Sequence, residues 1–201
     1  RSDLVTGVQT CALPIWGDGM EKVNSQVVQE QDFLKKAEEL AAIFNERAAK
    51  YDANGDFPFE NFEDLKNNGF LALTIPKEYG GQGINLVDYL KVIEQIAKGD
   101  GSTALSLGWH LGYLLEQSES RTWSEECFAK VCELVVKEKA LLNAASSERA
   151  TGSPSRGGVP TTTAIKVENG WRINGEKAFT SMAVALDYAL VTVDVNKSGK
   201  I

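Results

Sequence analysis

The feature that most constrains this chain is a change of periodicity at Lys139. Before it, apolar residues recur at three- and four-residue steps, the signature of amphipathic helices. Phe33, Ala37, Leu40, Ala41, Phe44 and Ala48 form one stripe within residues 26–50, with Lys35, Lys36, Glu38 and Glu39 on the far side. A turn cluster at 52–58 stops it, and a short helix over 60–67 is expected to close at Asn68-Gly69. Leu86, Leu90, Ile93, Ile96 and Ala97 repeat the stripe behind Asn85, an N-cap by type. Gly99-Asp100-Gly101 breaks that helix, and Asp100 or Ser102 can cap the apolar one that follows. Ser124, with Glu125 and Glu126 in the first turn, opens a last helix whose stripe is Phe128, Val131, Cys132 and Val135. After Lys139 come a short apolar run (141–145) and a loop rich in Ser, Gly, Thr and Pro as far as Pro160. Residues 161–167 are β-branched and Thr-rich. Asn169-Gly170 and Asn174-Gly175 are turn signals flanking Trp171-Arg172-Ile173, and 186–195 reads as a further strand. Helices first and strands afterwards predict an α+β protein, with a helical domain over 20–139 and a β-barrel-like domain begun over 140–201, rather than βαβ units.

Charge and composition exclude several classes. A formal net charge of −7 argues against a nucleic-acid or anionic-membrane binder, which would present a basic face. The least polar stretch, 101–115, lacks Asp, Glu, Lys and Arg but is shorter than the roughly 18–20 apolar residues of a membrane span. It reads as a buried helix. Cys127 and Cys132, five apart on one helix, point to different faces with no neighbouring ligand, so reduced buried thiols in a cytoplasmic protein are expected and no metal site.

The two ends carry expectations of their own. Residues 1–15 resemble a translated sequencing-library adapter; a signal peptide, the competing reading, would need a basic cluster before a sustained apolar run. Residues 1–19 are therefore set apart as a non-native tail. The last residues, ending at Ile201, read as a turn begun inside an unfinished β domain.

Three segments carry chemistry: Pro-Lys-Glu-Tyr-Gly-Gly-Gln-Gly from Pro76, Ala-Ala-Ser-Ser-Glu-Arg-Ala-Thr-Gly-Ser from Ala144, and Asn-Gly-Glu-Lys-Ala-Phe-Thr-Ser from Asn174. The first is no phosphate loop, because it lacks the Lys-Ser/Thr ending and follows a helix. In this order and spacing the three resemble the N-terminal half of acyl-CoA dehydrogenases, across residues 20–201. The resemblance implies a helical domain, a middle β domain and a C-terminal helical domain around FAD, usually in a homotetramer. Its chemistry is α,β-dehydrogenation of an acyl-CoA thioester, with electron-transfer flavoprotein as partner. Tyr79 would be structural. The second segment is similar to the loop that runs along the flavin, where Ala145, Ser147, Gly152 and Ser153 would bind cofactor. Ser147 falls at the pyrimidine edge of the ring and Ser153 at the phosphates. In the third, Phe179 would stack beside the ring, Ser181 would face N5, and Lys177 and Glu176 would form a solvated pair. Hydroxyls and free amides suit a flavin because they stabilise its negative reduced form.

Some positions depart from that pattern. Arg149, Thr151 and Pro154 stand for Pro, Ala and Asp, and Phe179 and Ser181 for Trp and Thr. The same segments also resemble flavin-dependent monooxygenases of this fold, which use FMN or reduced flavin with oxygen on organosulfur or aromatic substrates. A non-enzymatic helical interaction module is a third reading; it leaves the later segments unexplained. His110, the only histidine, sits in an apolar helix and reads as a satisfied core residue; nearby, Trp109, Leu111 and Leu114 could line an acyl or aromatic pocket. The resemblance places the catalytic base beyond Ile201, so no residue here inherits it and the chain alone is expected neither to hold FAD stably nor to turn over substrate.

Overall fold

The computed structural model describes residues 30–195, with side chains from residue 33. The adapter-like stretch and the final turn therefore lie outside the described residues. The chain is α+β and forms two compact units. One runs up to Leu141 and adds Met182–Asp187; the other comprises Leu142–Ser181 and the chain from Tyr188.

Helices α1 (Glu30–Asn54), α2 (Phe59–Asn67), α3 (Leu86–Gly99), α4 (Gly101–Ser120) and α5 (Glu125–Glu138) make up the first unit. The caps match their residue types. Asn85 accepts from the amide of Asp88, Asp100 from those of Ser102 and Thr103, and Ser124 from that of Cys127, which satisfies amides that have no partner within the helix. Gly69, with φ of 75°, follows α2 in the left-handed region that glycine alone enters without strain. The stripe of α1 is buried from Phe33 through Phe44 and that of α5 at all four expected positions.

Helix α3 departs from expectation. Ile96 is buried as expected, but Leu86 and Leu90 are more than half exposed, and Val92 and Gly99 face inward in their place. The reason is backbone proximity: a Cβ on Gly99 would overlap the carbonyl oxygen of Ala41. That close approach, open only to glycine, holds the end of α3 against the α1 backbone. Buried polar groups in this unit pair with one another. Arg47 donates to Asn61 at 3.0 Å and Asp64 at 2.7 Å, Asn61 donates to Thr103 at 3.0 Å, and Thr74 to the carbonyl of Leu111 at 2.8 Å. No helix among the described residues is long and apolar enough to cross a membrane.

The second unit holds two small sheets. Strand β1 (Leu142–Ala145) pairs in parallel with β4 (Tyr188–Val191), and β2 (Thr163–Val167) lies between β3 (Gly170–Asn174) and β5 (Asp194–Val195). The β2–β3 hairpin closes through Glu168 and Asn169, because Val167 pairs with Gly170. Residues 186–195 form two strands in two sheets, not one: after the amide of Thr192 bonds the carbonyl of Ala145 at 3.3 Å, that of Asp194 bonds Thr162 at 2.8 Å.

Candidate functional site

The segment around Tyr79 serves structure. A 3-10 turn at Lys77–Tyr79 ends at Gly80 with φ of 87°, and a Cβ on Gly81 would overlap the Ile75 carbonyl. The amides of Gln82, Gly83 and Ile84 bond back to Ala72, Ile75 and Leu73. Tyr79 rests its ring edge on Phe128 at 5.2 Å and donates its hydroxyl to Glu125, while the Arg121 guanidinium lies 5.2 Å from the Phe128 ring centre.

His110 is fully buried, and its Nε2 lies 3.0 Å from the Leu71 carbonyl oxygen. That nitrogen must carry the proton, so it is committed to the backbone and is no free base. Trp109, Leu111 and Leu114 do not converge. Trp109 lines a cavity of about 420 Å³ with Tyr89, Leu105, Gly108, Gly112 and Tyr113, whereas Leu111 and Leu114 are fully buried. Cys127 and Cys132 are buried, and burial pushes the Cys132 thiol up to about 12. Among the described residues no cluster of three or more His, Cys, Asp or Glu is arranged to hold a metal.

The later segments meet within the strand unit. Ala145 ends β1 with its side chain buried, and its carbonyl accepts from Thr192. Ser147 follows, half-buried, and its carbonyl accepts the amide of Ala178 at 2.9 Å. This bond joins the 144–153 segment to the 174–181 segment directly before Phe179. Phe179 is 90% exposed and has φ of 58°. A bulky aromatic in left-handed backbone, with its ring in solvent, combines two unfavourable features at one residue. Ser181 lies beyond it and uses its carbonyl to accept from Asn143 at 3.1 Å. Glu148 and Gly152 exchange both backbone hydrogen bonds, so Ser147 and Ser153 flank a tight turn in which Gly152 has φ of 77°. The Ser153 hydroxyl lies 2.8 Å from that of Ser155 and accepts weakly from the Ser155 amide at 3.4 Å.

Beneath these residues sits a polar hub that the sequence does not announce. The Glu148 carboxylate, 3% exposed, accepts from the Thr161 amide (2.7 Å) and hydroxyl (2.5 Å), the Thr162 amide (2.9 Å) and hydroxyl (2.7 Å), and Lys177 Nζ (2.8 Å). Burial pushes its pKa up, but the bonds from Lys177, Thr161 and Thr162 outweigh that and hold it well below the usual carboxylate range. Lys177 also donates to the Ser146 carbonyl at 3.3 Å. The expected solvated pair of Lys177 and Glu176 is thus corrected. Lys177 turns inward to Glu148, because a carboxylate buried among four threonine donors needs a counter-charge, and Glu176 stays 82% exposed, 4.0 Å from Arg149.

Comparison with known proteins agrees with this architecture. Residues 28–126 match the profile of the acyl-CoA dehydrogenase N-terminal domain. The chain belongs to the acyl-CoA dehydrogenase superfamily. It is 44% identical over 164 residues to YdbM of Bacillus subtilis (strain 168), a provisionally named acyl-CoA dehydrogenase, covering 82% of this chain and 43% of YdbM. It therefore spans less than half the length of that relative. Among solved structures it resembles FMN-bound TdsC, a dibenzothiophene monooxygenase of Paenibacillus sp., with TM-score 0.71 and 28% identity, over 82% of this chain and 40% of that one. It also resembles methanesulfinate monooxygenase MsuC of Pseudomonas fluorescens, with TM-score 0.70 and 25% identity, over 84% and 41%.

Proposed function

We propose that the strand unit supplies flavin-binding residues to a flavin-dependent oxidoreductase of the acyl-CoA dehydrogenase type. The observation that carries this reading is the junction of Ser147 with Ala178 and Phe179. It ties the residue that carries a hydroxyl to the residue next to one that carries an exposed apolar ring, residue types suited to a planar aromatic ring with a polar edge. Phe179 would cover one face of the ring. Ser147 would donate to its pyrimidine edge and Ser181 would lie toward N5. Ser153 would meet the phosphate end, Gly152 would shape the turn there with its amide already bonded to the Glu148 carbonyl, and Ala145 would contribute backbone only, its side chain being buried. The cofactor, FAD or FMN, would supply hydride acceptance. The chain's own residues hold it, orient it and keep solvent from one face.

For the complete reaction the reading is α,β-dehydrogenation of an acyl-CoA thioester, supported by 44% identity to YdbM over most of the chain. Electron-transfer flavoprotein as acceptor, a homotetramer and a cytoplasmic setting belong to the same reading. A second reading, a flavin monooxygenase, is favoured by the structural likeness to TdsC and MsuC. Titration of a polypeptide of YdbM's length with FMN and FAD, followed by hydrogen exchange, tests the site. Protection is expected in 144–153 and 174–181, and none in either segment at millimolar flavin sinks the reading. In a polypeptide of YdbM's length, anaerobic bleaching of bound flavin by acyl-CoA is expected of a dehydrogenase; its absence at every chain length favours the monooxygenase.

A further inference from the structure

A buried ion pair is an expensive way to fill space. Well-packed apolar residues of the same volume serve stability as well or better, and retained pairs can instead enforce one geometry. The Glu148–Lys177 pair is placed to do that. Glu148 is the residue after Ser147, and Lys177 comes two before Phe179. Through its two oxygens Glu148 ties together the Glu148–Gly152 turn, the Thr161-Thr162 doublet and Lys177. Thr151 adds a longer contact at 3.4 Å. Gly175 seats the third segment directly on this hub, because a Cβ there would overlap the Thr162 side chain. Lys177 then bridges Glu148 to the Ser146 carbonyl, and the Ala178 amide closes on Ser147 one residue further along each segment. With residues 146–148 and 177–178 joined at three successive points, the backbone at Phe179 has little freedom left to relax from its left-handed conformation.

We propose that Glu148 and Lys177 are the positioning residues of the flavin site: they fix the register between the Ser147 and Phe179 segments and hold Phe179 with its ring projecting. The proposal rests on the flavin reading above. Neither residue touches the ring; both act through the segments that do.

The test uses Lys177→Met, Lys177→Arg and, as a control of fold loosening, Ala164→Gly at the second position of β2, each in a polypeptide of YdbM's length. Two quantities are read: hydrogen exchange at the Ala178 amide without ligand, and the Kd for FMN. Lys177→Met is expected to speed exchange at Ala178 about tenfold or more and to raise the FMN Kd by about tenfold or more. Lys177→Arg should bring both back to within about threefold of the parent, because a charged donor again reaches Glu148. Ala164→Gly should loosen the hairpin amides while leaving Ala178 and the Kd unchanged. Parent-like exchange and affinity in Lys177→Met would overturn the proposal, as would an equal rise in Kd for Ala164→Gly. If the parent polypeptide of YdbM's length shows no FMN binding at about 1 mM, the flavin reading fails together with the ligand part of this inference; Ala178 exchange then confirms or overturns the clamp separately.

Discussion

The two units hold themselves together by opposite means. All of the largest fully buried apolar side chains, among them Phe44, Phe70, Phe128, Leu107 and Leu111, belong to the helical unit. The strand unit buries Leu142, Ala145, Ala164 and Val193 and leaves Ile165, Val167, Ile173, Phe179 and Tyr188 exposed. Among the described residues of the strand unit, the buried Glu148 carboxylate gathers five short hydrogen bonds. In the helical unit shape carries the fold; in the strand unit a satisfied charge does, and its surroundings make it unforgiving.

The sharpest way to break that contrast is to keep volume and change chemistry in each. Leu111→Met conserves apolar volume in the helical core and should cost less than about 1.5 kcal/mol. Glu148→Gln conserves shape but turns one oxygen into a donor facing other donors and leaves Lys177 without its counter-charge, so it should cost about 3–5 kcal/mol. Urea unfolding measures both. If the two losses come out equal, the hub is ordinary packing and the contrast is wrong. Lys177→Met should cost less than Glu148→Gln, because Glu148 keeps its four short bonds from Thr161 and Thr162.

The same contrast explains what could be read from sequence. Helix caps at Asn85, Asp100 and Ser124 are local: a side-chain oxygen meets an amide two or three residues away, and residue type nearly suffices. The stripes of α1 and α5 were legible for the same reason. The inward face of α3 was legible at Ile96 but not at Val92 and Gly99, because Gly99 packs against Ala41, a partner 58 residues distant that no local period encodes. The β-branched run of β2 was legible, but the turn after it falls at Glu168-Asn169 with Gly170 already paired, Asn174-Gly175 makes no turn, and the division of 186–195 between two sheets depends on which strand each half meets. At the candidate site the segments stood out by motif. Their clamp did not: Glu148 and Lys177 are 29 residues apart, and Lys177 beside Glu176 reads locally as a surface pair. The Thr161-Thr162 doublet was the available clue, since four adjacent donors need an acceptor.

A smaller effect separates the units by pH. Glu148 is held below its ordinary value by Lys177 and the two threonines despite burial, and Glu133 on α5 is lowered by Lys130 and Lys137. For a carboxylate whose folded pKa is depressed, the stabilisation is complete above its unfolded value of about 4.3 and is lost as pH falls toward the folded one. Both therefore weaken the fold in acid. Glu133 is 42% exposed, so solvent and salt screen it and its share is small. Stability measured from pH 7 to pH 3 should fall along an acid limb that Glu148→Gln flattens and Glu133→Gln scarcely alters. Raising salt should leave the Glu148 part in place, since a buried pair is poorly screened. An acid limb unchanged by Glu148→Gln would show that the pair does not titrate as the geometry requires.

The smallest expected change in stability falls on the residue with the largest expected change in binding. Phe179 is 90% exposed, so truncating its ring forfeits almost no burial. Its φ of 58° is costly for a bulky side chain and free for glycine. Phe179→Gly relieves that strain but gives the unfolded chain more freedom, and the two effects oppose each other at about 1 kcal/mol each. Thermal unfolding should thus show no loss beyond about 0.5 kcal/mol. FMN-dependent protection of the 144–153 segment should nevertheless disappear, because the surface that would stack on the ring is gone. An exposed aromatic in strained backbone that can be removed without harm to the fold is held there for something outside the fold. Retained FMN protection in Phe179→Gly would move the stacking face elsewhere and leave the strain at this residue unexplained.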